Sequence, residues 1–154
     1  MHSTETQHTE TQFRDFAATD RPACLLLFDM NCPTYFAPNE RDDYAQFLDQ
    51  HASAYKVCVL DGHIVGAYGL YVVGTDSRAL HWILFTPAIH GYGLGSMVMS
   101  RVIAAAKEDK ASILHISASH KSAPFFAKFG AVAQSTTVDG WGPGMHRVDM
   151  QLAR

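Results

Sequence analysis

The chain reads as an α/β (α+β) domain, a mixed and mainly antiparallel sheet flanked by helices, on three observations. Residues 55–85 hold three consecutive apolar stretches parted by short turns, the pattern of strands that pair antiparallel with their sequence neighbours. The third stretch runs through Thr86 and Pro87 into HGYGLG, residues 90–95, then into a helix-period segment and a further apolar stretch, which makes a strand-helix-strand crossover. Towards the C-terminal side, Val148, Met150 and Leu152 alternate with Arg147, Asp149 and Gln151, so the sheet ends in a half-buried strand.

Taken in order, the opening run MHSTETQHTETQ is polar and lacks the basic-then-apolar layout of a secretory signal. Residues 1–10 are therefore expected to be a flexible tail ahead of a single domain over 11–154. Thr11 to Ala17 is expected as a short strand. Thr19, Asp20, Arg21 and Pro22 read as a cap residue with proline in the first turn, and Ala23, Leu26, Leu27 and Met30 follow at helical spacing, which predicts a helix over 20–31. From Pro38 to about Gln50, Tyr44, Phe47 and Leu48 supply the i, i+3, i+4 face of a second amphipathic helix. YKVCVL, the Asp61-Gly62 turn and HIVGAYGLYVV form a hairpin, and the chain turns again between Gly74 and Ser77 into a strand from Ala79 to Phe85. Leu94, Met97, Val98, Val102 and Ala105 mark one face of a helix reaching about Glu108. ASILHISAS reads as a buried strand, SAPFFAKFG as a short helix ended by Gly130, and AVAQSTT as another strand.

Composition narrows the function classes. With 154 residues, 47% hydrophobic and 18% charged, the chain can bury a core, and no stretch reaches the roughly 20 apolar residues of a membrane span. A net charge of -3 with scattered Lys and Arg leaves no basic stripe for neutralising phosphates along a duplex, so neither nucleic acid nor membrane is expected as a partner. Cys24, Cys32 and Cys58 match no CxxC or zinc spacing and suit a reducing cytosol, which makes the cytoplasm the expected location. His115 and His120 stand five apart across a strand end, and no metal site is assigned.

The glycine-rich turn carries the functional signal. N-H groups at the start of the following helix lack intrahelical acceptors and, with the positive end of the dipole, favour a pyrophosphate, while glycine lets an anion approach the backbone. The bland alternative is a tight turn and nothing more. The phosphate-cradling motif GxxxxGK[ST] is absent.

The run LHWILFTPAIHGYGLGSMVMSRVIAAAKE resembles the acyl-CoA-binding motif of the GNAT superfamily of N-acetyltransferases. That motif is Arg or Gln, two residues, Gly, one residue, then Gly or Ala; here the positions are His90, Gly93 and Gly95. SHKSAPFFAKFGA resembles the second family motif, and the order of elements extends the likeness over about residues 11–154. The resemblance implies a GNAT-like acyl-CoA N-acyltransferase fold, acetyl-CoA as cosubstrate and an amine acceptor, and leaves room for a homodimer. It implies cofactor contacts from His90, Gly91, Tyr92, Gly93, Leu94, Gly95 and Ser96, from Ser119 where an Asn is common, from Phe125, and from backbone N-H groups around Leu84 and Phe85 if the strands splay.

The departures define the open questions. His90 replaces a permanent charge or an amide. Phe126 stands where many members place the tyrosine that protonates the leaving thiolate, and Ser122 and Tyr92 are the positional substitutes. The acidic base of many members lies nine residues before the motif's Arg or Gln, which is His81 in this chain; an imidazole with a pKa of about 6.5 is substantially neutral at neutral pH. Tyr35, Phe36, Trp141 and His146 are expected to bind substrate, with the loop Asp139 to His146 as one wall. Glu40 belongs either with them or with the acidic run Glu40 to Asp43, which suits a solvated helix start. The leading expectation is an acetyl-CoA-dependent N-acetyltransferase acting on a primary amine of a small molecule or peptide. The alternatives are a non-catalytic acyl-CoA-binding or regulatory module, and an interaction protein that keeps the fold without the ligand.

Overall fold

The computed structural model describes residues 10–89 and 93–153, so the expected tail falls almost wholly outside the described residues. Its strands are β1 (Thr11–Asp15), β2 (Tyr55–Leu60), β3 (His63–Gly74), β4 (Ser77–Phe85), β5 (Ile113–Ser119), β6 (Val132–Gly142) and β7 (Met145–Ala153). The helices are α1 (Arg21–Met30), α2 (Glu40–Gln50), α3 (Leu94–Glu108) and α4 (Ala123–Ala127). The strands form one sheet in the order β1-β2-β3-β4-β5-β7-β6, in which only β4 and β5 pair parallel among the described residues. The mixed, mostly antiparallel class read from the sequence is the class observed.

Local chemistry explains the turns. Asp61 and Gly62 take φ of 52° and 80° between the paired Leu60 and His63, the positive-φ pair that a two-residue hairpin needs. The parallel pairing of β4 with β5 requires a crossover, and α3 provides it. No helix among the described residues is long and apolar enough to cross a membrane.

The sheet separates two cores. On one side α1 and α2 bury Leu27, Phe28, Tyr44 and Leu48 against Tyr55, Val57, Ala67 and Leu84. On the other, α3 and α4 bury Leu94, Val98, Val102 and Phe126 against Cys58, Leu80, Ile116 and Met150. The period-2 alternation of β2 sends Tyr55 and Val57 to the first core and Cys58 and Leu60 to the second. Each large apolar side chain so buried contributes roughly 1.5 to 3 kcal/mol.

Several expectations are corrected. The face of α1 is turned: Cys24, Leu25, Leu27 and Phe28 are buried, whereas Leu26 and Met30 are exposed. With four consecutive apolar residues in LLLF, helical spacing fits more than one face, and contact with Tyr44 and the sheet decides which goes inside. The first helix runs over Arg21–Met30 rather than 20–31, with Asp20 as its cap residue, whose carboxylate accepts the Ala17 N-H at 2.8 Å and pairs with Arg14 at 2.8 and 3.0 Å. The second helix starts at Glu40 rather than Pro38. In α3, Met99 and Ala106 are buried where Met97 and Ala105 were expected, and Met97 is exposed. The supposed loop Asp139 to His146 is the tip of a β6–β7 hairpin, because β6 runs on to Gly142.

Candidate active site

The site begins with two strands that part. Ser77 to Leu80 of β4 pair with Ile113 to Ile116 of β5, yet β4 continues to Phe85 and β5 to Ser119. Beyond Leu80 and Ile116 each keeps its outer neighbour, β3 or β7, and loses the other. The cause is a bulge in β4: Ala67 faces Leu84 and Gly69 faces His81, so two steps along β3 match three along β4. A bulge bends its strand and increases the twist. Trp82 takes the strained step, with φ of 47°. Tyr55 Oη donates to the Trp82 carbonyl at 2.6 Å and lies 2.8 Å from Tyr44 Oη, while the Trp82 ring meets Phe36, Tyr44 and Phe47. The strain is thus held by a buried hydrogen-bonded pair and an aromatic cluster.

A cavity of about 830 Å³ opens where the strands part, a size suited to a small-molecule ligand. The start of α3 forms part of its wall. Gly93 is left-handed at φ 78°, and the Met97 N-H returns to the Gly93 carbonyl at 3.0 Å. The N-H groups of Leu94, Gly95 and Ser96 come before that bond and have no acceptor within α3. Lys121, Lys128 and Arg147 line the same cavity, which adds positive charge to the helix N-terminus. Gly95 also answers a packing need, because a Cβ there would stand 2.8 Å from Phe125 Cε1. His90, Gly91 and Tyr92 lie outside the described residues.

The turn from β5 into α4 is tied by two serines. Ser119 N-H donates to Ser122 Oγ at 3.0 Å, Ser122 N-H donates to Ser119 Oγ at 3.1 Å, and the hydroxyls stand 3.1 Å apart. Both residues line the cavity, with Phe125 and Phe126 following. The Ser122 hydroxyl is engaged by the turn, and the Phe126 ring is buried in the core. Just past β4, Thr86 N-H donates to the Val65 carbonyl at 2.8 Å. Alternation along the strand turns the Leu84 groups towards β3 in the same way and the Phe85 groups towards the gap. There the Phe85 carbonyl accepts Asn31 Nδ2 at 2.8 Å.

Tyr35, Phe36, His81 and Trp141 share the cavity wall; His146 does not. His146 Nδ1 accepts the Asp139 N-H at 3.0 Å and its ring stands 4.6 Å from that of His120, which makes it part of the hairpin. Trp141 Nε1 donates to the Ala118 carbonyl at 2.9 Å, and Asn39 Nδ2 donates to the Trp141 carbonyl at 2.8 Å. The hairpin tip is thereby tied to β5 and to the segment before α2. A Cβ on Gly142 would collide with Asn39, so the close approach requires glycine. His81 opens onto the cavity as an exposed residue with its ring edge-on to Tyr71 at 5.2 Å, and the water it loses on its protein side pushes the imidazole below its ordinary value.

Of the polar residues of the wall, Asn31, Ser117, Lys121, Lys128 and Arg147 carry no motif that marks them as site residues in the sequence, and Glu40 is the one to which the sequence left two places open. Asn31 is buried and joins the end of α1 to β4 through Leu27 and Phe85. Glu40 is not solvated: it is 4% exposed, and Oε2 accepts the Ala37 N-H at 2.8 Å. Burial, reinforced by Asp43 and opposed by that hydrogen bond, pushes its carboxyl up to about 7. The signal was present, since Tyr44 and Leu48 define a buried stripe that runs back by four residues to Glu40. The thiols of Cys24 and Cys58 are pushed up by burial to about 11 and about 12, which leaves them unreactive.

Comparison with known proteins agrees with this geometry. The Acetyltransferase (GNAT) family model matches residues 24–131. Ard1 from Thermoplasma volcanium superposes with a TM-score of 0.78 at 12% identity, over 93% of this chain and 97% of that one. Rv2747 from Mycobacterium tuberculosis, solved in complex with CoA, gives 0.69 at 17% identity over 94% and 99%. yncA from Salmonella typhimurium, solved with its cofactor acetyl-CoA, gives 0.69 at 14% identity over 94% of each chain. No curated protein matches the sequence.

Proposed function

The chain belongs to the acetyltransferase (GNAT) family, and from that premise we propose that it is an acetyl-CoA-dependent N-acetyltransferase acting on a primary amine of a small molecule or peptide. Transfer is direct, without an acyl-enzyme. The observation that carries this reading is the parting of β4 and β5, which puts a helix N-terminus, three cationic side chains, a histidine and an aromatic wall around one cavity. The free N-H groups at Leu94, Gly95 and Ser96, with Lys121, Lys128 and Arg147, suit the phosphates of acetyl-CoA. Phe125, on whose ring the absence of a Gly95 side chain depends, supplies apolar contact. The Phe85 N-H is directed to where a thioester carbonyl can be polarised.

A free alkyl amine is protonated at neutral pH, and stripping that proton costs roughly 4 to 5 kcal/mol. The site therefore needs proton acceptors, and His81, kept neutral by its surroundings, is our proposed base at the reacting nitrogen. A second reading, a non-catalytic acyl-CoA-binding module, draws on the phenyl ring at Phe126 and the committed hydroxyl of Ser122, which leave neither to protonate a thiolate. A thiol with a pKa of about 8.5 leaves acceptably without such a donor. The three cysteines, free in the structure, suit a reducing compartment, and on that ground we place the protein in the cytoplasm.

The test is calorimetric titration with acetyl-CoA, CoA and dephosphorylated CoA, followed by thiol release with a panel of primary amines. Micromolar binding weakened by dephosphorylation, with amine-dependent thiol release, is the expected result. Binding without release at any amine selects the module; no binding removes both. His81→Ala is expected to lower turnover about 100-fold across amines with acetyl-CoA affinity within about twofold. Unchanged turnover would take the base role from His81.

A further inference from the structure

We propose that Glu40 receives the acceptor's ammonium group beside Tyr35, Phe36 and Trp141 and takes its first proton. This rests on the N-acetyltransferase reading and names the class of acceptor: a protonated alkyl amine on an apolar or aromatic body.

The placement is unusual for a carboxyl group. Arg41, Asp42 and Asp43 are exposed, while Glu40, at the first position of α2, is buried and lines the cavity. One oxygen accepts the Ala37 N-H, and Oε1 accepts nothing among the described residues. Among the described residues no cation is paired with it. Arg41, its neighbour in sequence, is exposed and paired with Asp29 at 2.8 Å. A carboxylate buried without a cation is costly unless a partner arrives, and an ammonium ion is such a partner.

The groups around it favour the same division of labour. Asp43 on its own helix and Cys32 in the turn before it are not positive. Tyr35 on that turn, Asn31 at the end of α1, His81 on β4, Lys121 and Lys128 beside α4 and Arg147 on β7 are the other polar and titratable groups of the wall that bear on its charge. Burial and Asp43 place the carboxyl at about 7, where it binds a cation as an anion and keeps a transferred proton as a neutral acid.

The protons then balance. The ammonium ion gives one proton to the Glu40 carboxylate, leaving a neutral amine beside a neutral acid. The nitrogen lone pair forms the C–N bond to the thioester carbonyl carbon, the C–S bond breaks, and its electron pair leaves on sulfur. The second N–H proton, lost as the amide forms, passes by way of His81 to the thiolate. Glu40 returns its proton to water, so the products are an amide, the CoA thiol and one proton.

The bland alternative is that Glu40 only receives the Ala37 N-H, a task a glutamine performs equally well. The experiment uses phenethylamine as probe and the neutral 3-phenylpropan-1-ol as its control. In protein carrying ¹³C-labelled glutamate, the Glu40 carboxyl should titrate near neutrality and move on addition of phenethylamine but not of the alcohol. Glu40→Gln should lower kcat/KM about 100-fold and move the acidic limb of its pH profile to lower pH, where His81 sets it, with acetyl-CoA affinity by calorimetry within about twofold. A carboxyl blind to phenethylamine, or a Glu40→Gln enzyme with the parent's pH profile, overturns the proposal while thiol release by the parent keeps the transferase reading. A carboxyl that responds to phenethylamine in a protein that releases no thiol supports the ammonium site and removes the transferase.

Discussion

A carboxyl group withdrawn from water penalises the fold whenever it is charged, and Glu40 bears that penalty. Its folded-state value is raised to about 7, so the folded chain keeps the proton to higher pH than the unfolded chain does. Stability is therefore greatest below the ordinary glutamate range and declines as pH rises towards 7, with the full penalty present above it. Glu40→Gln stays neutral and keeps an acceptor for the Ala37 N-H. It is expected to be more stable than the parent by about 3 kcal/mol at about pH 8 and nearly equal to it at about pH 4, by urea denaturation. A glutamine variant with no gain at the higher pH would mean that the parent's carboxyl is solvated. That a substitution should stabilise the fold while removing activity is the mark of a residue retained for its site. Three exposed neighbours in the run ERDD disguised Glu40 as part of a solvated helix start, and only the 40, 44, 48 stripe distinguishes it.

The bulge in β4 is a property of an element, and two tyrosines from other elements hold it. Tyr55 on β2 donates to the Trp82 carbonyl, and Tyr44 on α2 shares the Tyr55 hydroxyl. Tyr55→Phe keeps the ring in its core and removes the donor, leaving the Trp82 carbonyl and the Tyr44 hydroxyl short of a partner. The expected cost is about 1 to 3 kcal/mol. The expected kinetic change is a lower kcat with the KM for acetyl-CoA little altered, because the relaxed bulge shifts the Phe85 N-H rather than the start of α3. Steady-state kinetics and thermal unfolding on the same variant check both. Much at this scale was legible in the sequence: the Asp61-Gly62 hairpin, the crossover through α3 and the alternating β7 rest on local residue chemistry. The parting of β4 from β5 was not, because it depends on how β3 and β4 count residues against each other. The buried face of α1 was illegible for a related reason, since LLLF is apolar on every side and Tyr44 selects the face from elsewhere in the chain.

For the molecule as a whole, the cavity draws its walls from α1 and α2, from β4 and β5, from the start of α3 and from the β6–β7 hairpin. Sequence motifs marked the two contributions nearest the glycines. The hairpin, whose tip is tied to Ala118 and Asn39, looked like a loop because Gly140, Gly142 and Gly144 crowd its end. The sheet order adds a temporal consequence: β7 lies between β5 and β6, so the last of the described strands to leave a ribosome fills an interior slot. Until it emerges, β5 has an open flank and β6 has no strand to pair with among those described. Nascent chains arrested with β7 still inside the exit tunnel should be cut readily by protease within β5 and β6, and extension far enough to bring β7 out should protect both together. Protection of β6 before β7 emerges would show that another segment stands in for it. The acetyl-transfer cavity is on this view assembled only when β7 emerges, by a strand that arrives after every wall it completes.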